Sequence, residues 1–212
     1  MKKPMIFFDW DGTLADSMGL SRYGVQTAMA AMGLPPVAEE MLVYSNGPTI
    51  EESAQLLGVP EAMQAEWVRT RYAAEMDGVD EHQRAFAGVP EMLRRLRDIA
   101  DLVIISNGGI PYLTKSTRIL GVADCFFYIQ GIVVGQSKGV TLSQVIDRLQ
   151  PERAVMVGDR LGDFLAGKHC GIPAIAAGYG YGNEEEWAQA DVMLPTVEAL
   201  EAWLTDWAKA DR

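Results

Sequence analysis

MIFFDWDGTLADS, residues 5–17, places four apolar side chains in a row and then presents two carboxylates, Asp9 and Asp11, one residue apart. Gly12 and Thr13 follow directly behind them. An apolar run without alternation is the pattern of a strand covered on both faces, as in the parallel sheet of an α/β fold. In such sheets, ligands bind in the crevice at the carboxyl ends of the strands. The stretch therefore predicts a central strand that delivers acid side chains to a site.

The same grammar recurs further along the chain. Leu102 to Ile105 precede Ser106-Asn107-Gly108-Gly109, Ala154 to Val157 precede Gly158-Asp159, Ala174 to Ala176 precede Gly178, and Val192 to Leu194 precede Pro195. Amphipathic helical patterns lie between and after these runs. Met92, Leu93, Leu96, Ile99 and Ala100 share one stripe within Pro90 to Ala100, and Val197, Leu200, Trp203, Leu204 and Trp207 share another. The expected fold class is α/β, a doubly wound parallel sheet of Rossmann-like kind.

Residues from about Asp16 to Ala87 read differently. They carry no convincing strand, only helical stretches at Leu20 to Met32, Ile50 to Leu57 and Glu61 to Met76. Gly33-Leu34-Pro35-Pro36, Gly47-Pro48 and Gly58-Val59-Pro60 separate them. This predicts an α-helical cap, residues 16–87, inserted into a core made of residues 1–15 and 88–212. Hinges are expected near Ala15 to Gly19 and Ala87 to Pro90.

Composition bounds the function. The chain has 212 residues, 49% of them hydrophobic and 22% charged, which is ordinary globular usage. A formal net charge of -11 leaves no basic stripe for a nucleic-acid backbone, so no nucleic-acid partner is expected. The apolar run behind Lys2 and Lys3 stops at Phe8, too short for a signal peptide, and no stretch suits a bilayer span. Cys125 and Cys170 are far apart and lack metal-ligand spacing, consistent with reduced thiols. The expectation is a cytoplasmic protein without a membrane partner, a monomer or homodimer.

The topology of a parallel sheet would bring Asp9 and Asp11, Ser106 and Asn107, and Asp159 with Asp163 into one crevice. At an effective dielectric of 20, two unit charges at ~4 Å repel by ~4 kcal/mol, so such a cluster needs a counter-charge. A hard divalent cation with oxygen ligands, Mg2+ above all, would supply it. Taken singly, each piece has a plainer reading: an Asp at a strand end caps a helix, and Ser106-Asn107-Gly108 is a turn. Three such pieces, each directly after a buried strand, point to a site.

These residues resemble the haloacid dehalogenase superfamily, in particular its phosphatase branch with a small helical cap, which includes phosphoglycolate phosphatases. DWDGTLADS matches the first motif, VIISNGG the second and VGDRLGDFLAG the fourth, while GYGYG at Gly178 to Gly182 is similar to a stretch common in that branch. The third motif is a Lys, usually followed by Pro in relatives; here Lys138 is followed by Gly139. Between the second and fourth motifs the lysines are Lys115, inside a helical stretch, and Lys138, which leads into the pattern Thr141, Leu142, Val145, Ile146.

The resemblance implies roles. Asp9 is the nucleophile that forms an aspartyl-phosphate, and Asp11 protonates the leaving oxygen and then deprotonates water. Asp9, the backbone carbonyl of Asp11, and Asp159 would hold Mg2+, with Asp163 acting through water or orienting Lys138. The Ser106 hydroxyl and the Asn107 and Gly108 amides would bind phosphoryl oxygens, Lys138 would balance charge, and Thr13 would support the motif. The implied activity is Mg-dependent hydrolysis of a small phosphorylated metabolite. A sugar-phosphate mutase shares the motifs, but relatives carry a His in the first hinge, absent from Ser17 to Gly24. A metal-free dehalogenase would lack the second acid of the first motif. A phosphonoacetaldehyde hydrolase would need a cap Lys, and residues 16–87 contain none. Relatives acting on phosphoglycolate often place an Arg in the loop after the first cap helices, whereas Leu42 to Glu51 contains no Arg or Lys. Arg22, Tyr23, Tyr44 and Asn46 are the candidate cap contacts, and neutral-tailed phosphomonoesters are expected to compete with phosphoglycolate.

Overall fold

The computed structural model describes residues 3–210; the side chain of Tyr44 lies outside the described residues. In chain order the elements are β1 (Met5–Phe8), β2 (Ala15–Asp16), α1 (Met18–Ala31), α2 (Glu39–Leu42), α3 (Ile50–Leu56), α4 (Glu61–His82) and β3 (Arg84–Ala85). They continue with α5 (Val89–Leu96), β4 (Asp101–Ile105), α6 (Ile110–Ile119), β5 (Phe126–Gln130), α7 (Lys138–Leu149) and β6 (Ala154–Gly158). The chain closes with α8 (Leu161–Cys170), β7 (Ala174–Ala177), α9 (Glu184–Trp187), β8 (Val192–Leu194) and α10 (Val197–Lys209).

Six strands form one parallel sheet in the order β5-β4-β1-β6-β7-β8. From β1 the chain builds outward through β4 to β5, then returns to the other side of β1 to lay down β6. That reversal puts the switch point at β1, where α/β sheets open a crevice. Phe8 stands level with Ile104 of β4 and Val157 of β6, so the three strands discharge their next residues at one height. Below the crevice, Met5, Phe7, Val103, Ile105, Leu142, Val145 and Met156 pack into a common core that fixes those strand ends. Among the described residues, no helix is long and apolar enough to cross a membrane.

Strand β5 is absent from the sequence reading. It lies at the sheet edge, Phe127 is 61% exposed, and the pairing with β4 shifts register between Leu102 and Val103. A half-exposed edge strand loses the uninterrupted apolar signature of a covered one.

The chain divides into two compact units, residues 1–15 with 85–212, and residues 16–84. The second boundary falls three residues before the expected 87/88 junction. Its cause is Phe86, whose N–H donates to Leu14 O at 3.2 Å and whose ring meets Tyr179 and Tyr181 at centroid distances of 5.2 and 6.2 Å. The helical unit has its own core of Val25, Ala28, Met29, Leu42, Ala54, Val59 and Trp67. Helix α4 extends to His82, beyond the expected end at Met76, and packs closely on α1. Gly24 makes room for Glu75, and Gly78 for the Tyr23 ring; a Cβ at either position would meet those side chains at 2.5 and 2.8 Å.

Candidate active site

Asp9 leaves β1 with its N–H donated to Val157 O at 2.8 Å, and its side chain is buried. The chain then turns sharply, with the amides of Thr13, Leu14 and Ala15 all donating to Trp10 O. Gly12 takes φ +82° in this turn, and a Cβ there would lie 2.3 Å from an Asp159 oxygen, so glycine is required on both counts. Asp159, directly after β6, is fully buried. Its Oδ1 accepts from Thr13 Oγ1 at 3.2 Å, its Oδ2 from the Tyr181 amide at 2.8 Å, and its carbonyl from Trp187 Nε1 at 3.1 Å. Asp163 sits in the first turn of α8 and accepts from the Arg160 amide at 3.1 Å.

Lys138 joins the acids. Ser137 caps α7 by accepting from the Val140 amide, so Lys138 becomes the first helical residue. Its Nζ lies 2.9 Å from Asp9 Oδ1 and 2.6 Å from Asp163 Oδ1. Carboxylate oxygens of Asp9, Asp159 and Asp163 all fall within 4.8 Å of one another.

Electrostatics follow from that crowding. Burial, reinforced by Asp163, raises the Asp9 carboxyl to about 7 against the pull of Lys138. Burial, with Asp163 and Asp9 adding, holds Asp159 well above the usual carboxylate range. Burial alone would lower Lys138, but the facing carboxylates of Asp163 and Asp9 outweigh it and hold the ammonium above its ordinary value. Three carboxylates and one ammonium leave a formal charge of about -2, the complement of one divalent cation. The donor set is all oxygen, which fits Mg2+ and other hard cations.

The second motif lies beside this cluster. Ser106 donates its amide to Gln130 O at 3.1 Å, and Ser106, Asn107 and Lys138 line one small pocket. The Gly108 amide, expected to face a phosphoryl oxygen, instead donates to Ser106 Oγ at 2.9 Å. That bond uses a lone pair of the hydroxyl and leaves its proton for an incoming oxygen. Asp11 adds no carboxylate oxygen to the three-acid group; its Oδ1 accepts from Tyr112 Oη at 2.5 Å.

Several contributors escaped the sequence reading. Tyr112 is one, and the tyrosines of the GYGYG stretch are others: Tyr179 Oη donates to Thr13 O at 2.9 Å, and the Tyr181 amide supports Asp159. The glycines of that stretch were the available signal. A Cβ at Gly180 would come within 2.3 Å of both Asp159 Cβ and Gly12 O, so this loop backs Asp159 only as glycine.

The expected cap contacts fare differently. Arg22 is exposed and paired with Glu39, Tyr23 stacks on His82 at 4.3 Å, and Asn46 Nδ2 approaches the Met18 sulfur at 3.4 Å. The cation near the 42–51 loop comes from elsewhere: Arg71 of α4 is buried and donates to Ser45 O at 3.2 Å and to Glu75 at 2.7 Å. An arginine distant in sequence thus serves a loop that has none of its own.

Residues 6–177 match the family described as haloacid dehalogenase-like hydrolase. A 5'-nucleotidase of Pseudomonas aeruginosa is 31% identical over 196 residues, covering 88% of this chain and 87% of that protein. A phosphoglycolate phosphatase of Psychrobacter arcticus is 25% identical over 205 residues, covering 89% of each. Among solved structures, a haloacid dehalogenase-like hydrolase of Streptococcus pneumoniae superposes with a TM-score of 0.88 at 22% identity, covering 95% of this chain and 98% of that one. That last likeness speaks for the fold.

Proposed function

From its place in the haloacid dehalogenase-like hydrolases, the family to which this chain belongs, we propose that it is a Mg2+-dependent phosphatase of small phosphomonoesters. The observation that carries this reading is the clamp on Asp9, a buried carboxylate held 2.9 Å from Lys138 and grouped with Asp159 and Asp163. Relatives named 5'-nucleotidase and phosphoglycolate phosphatase support phosphomonoesters as the substrate class.

In this mechanism an Asp9 oxygen attacks phosphorus, and the bond to the leaving oxygen breaks with its electron pair going to that oxygen. Asp11, entering as the carboxylic acid, supplies the proton. Water then attacks the aspartyl-phosphate and gives a proton to the Asp11 carboxylate, releasing inorganic phosphate and restoring Asp9. Ser106 Oγ and the Asn107 amide orient the phosphoryl oxygens, with Gly108 holding Ser106. Lys138 offsets negative charge beside the nucleophile. Asp9, Asp159 and the Asp11 carbonyl would hold Mg2+, which when bound supplies positive charge to the phosphoryl group; Asp163 positions Lys138.

Substrates in this scheme are diffusible metabolites, and the chain works in the cytoplasm as a monomer or homodimer. The test is phosphate release by the purified protein, with Mg2+, from a panel containing phosphoglycolate, nucleoside 5'-monophosphates, sugar phosphates and p-nitrophenyl phosphate. Turnover of at least one natural phosphomonoester, lost in Asp9→Asn, is the expected result. Absence of phosphate release from the whole panel would overturn the reading.

A further inference from the structure

We propose that Tyr112 is a positioning residue for the phosphatase reaction, acting through Asp11, a role that rests on the reading above. Its hydroxyl donates to Asp11 Oδ1 at 2.5 Å, the short end of the O–H···O range.

Asp11 is the least buried acid of the site. Asp9, Asp159 and Asp163 are buried, whereas Asp11 is half-buried at the tip of a tight turn. A carboxylate there must be oriented before it can deliver a proton, and misplacement by ~1 Å can cost ~100-fold in rate. Tyr112 supplies that orientation from a rigid element.

The support behind the tyrosine is built from three sides. Tyr112 and Ser116 lie four residues apart on α6 and therefore share a face. Ser116 Oγ accepts from Trp10 Nε1 at 3.0 Å, so one helix face grips both Trp10 and Asp11 of the catalytic turn. The Tyr112 ring also lies flush on Gly108, where a Cβ would stand 2.8 Å from Cδ1. Gly108 in turn is pinned by Ile132, whose amide donates to its carbonyl at 3.1 Å. One side chain thus links the loop that receives the phosphoryl group to the residue that protonates the leaving oxygen. With Oδ1 engaged by the phenol, proton exchange falls to Oδ2, and Tyr112 keeps its own proton throughout.

The experiment compares kcat/KM for an alkyl phosphate and for p-nitrophenyl phosphate in wild type and in Tyr112→Phe, which keeps the ring on Gly108 and removes the hydroxyl. This parameter reports phosphoryl transfer to Asp9, and only the alkyl leaving group needs a proton from Asp11. The alkyl phosphate should lose about 100-fold and p-nitrophenyl phosphate only a few fold. The ratio of the two is independent of the fraction of variant that folds. In an Asp11→Asn background, Tyr112→Phe should change neither substrate further. Equal losses on both substrates, or a loss in the Asp11→Asn background as large as in wild type, would overturn the inference. Wild-type protein that hydrolyses both substrates with an unchanged ratio in Tyr112→Phe sinks the tyrosine role alone. Wild-type protein that hydrolyses neither sinks the phosphatase reading and the tyrosine role with it.

Discussion

Replacing Lys138 by Met keeps an unbranched side chain of similar length and removes the one ammonium that lies between Asp9 and Asp163. Breaking a buried ion pair by deleting one partner costs about 3–5 kcal/mol, because the remaining charge stays uncompensated. For a chain of this size, 1 kcal/mol moves Tm by about 2–4 °C, which gives a loss of about 6–20 °C at pH 8 without added metal. The pH dependence follows from the shifts. Lys138 is held above its unfolded value, so its contribution is fully present below the ordinary lysine range and is lost only in strong alkali. The lower limit is set by its partner. The Asp9 carboxyl titrates at about 7, so below that pH it takes a proton and needs no counter-ion. The difference in Tm between wild type and Lys138→Met should therefore shrink markedly between pH 8 and pH 5.5. Adding Mg2+ at pH 8 should recover part of the loss. Thermal melts followed by circular dichroism at the two pH values decide the matter. A loss of equal size at pH 5.5 and pH 8 would show that the contribution of Lys138 does not run through the charge on Asp9, and would refute the reasoning.

The remaining predictions use the same cluster. In the metal-free protein the raised Asp9 carboxyl binds more protons folded than unfolded between about pH 4 and 7, so stability should fall as pH rises through that window. Mg2+ should therefore raise Tm more at pH 8 than at pH 5.5, as differential scanning fluorimetry would show; a shift independent of pH would count against the three acids as the site. Asp9→Asn should abolish turnover and the acid-labile phosphoenzyme, while Asp11→Asn should retain slow transfer from p-nitrophenyl phosphate, both read by phosphate release and intermediate trapping. Gly180→Ala forces a methyl into Asp159 and Gly12 and should weaken Mg2+ activation at least tenfold, measured as the Mg2+ concentration giving half-maximal activity. An unchanged half-maximal concentration would mean that the loop yields without moving Asp159.

What could be read in advance was what the backbone dictates locally. Asp9, Asp159 and Ser106 each follow a covered strand within one or two residues, so the rule for parallel sheets placed them in one crevice without knowledge of packing. Asp163 followed from its place in the turn after Asp159. Lys138 required elimination against Lys115, because a lysine at a helix start carries no local mark of where its ammonium goes. Tyr112 was illegible for a deeper reason: 101 residues separate it from Asp11, and a tyrosine in the first turn of an amphipathic helix reads as ordinary core. Strand β5 failed in the opposite direction, since its residues are exposed enough to lose the apolar run that the other strands display.

The helical unit turns on the same distinction between a cation's presence and its availability. Residues 42–51 have no Arg or Lys, which argued for neutral-tailed phosphomonoesters competing with phosphoglycolate, yet Arg71 brings a guanidinium to Ser45 from α4. Arg71 is the only buried cation among the described residues of that unit. Its charge is already matched: Nε donates to Glu75 at 2.7 Å, and Glu75 is itself mostly buried in the gap left by Gly24. With Arg71 so matched, the helical unit offers no uncompensated buried cation among its described residues, and neutral phosphomonoesters such as nucleoside 5'-monophosphates should match phosphoglycolate in kcat/KM to within about tenfold, one unit of 1.4 kcal/mol. A preference for phosphoglycolate of several orders of magnitude would refute this.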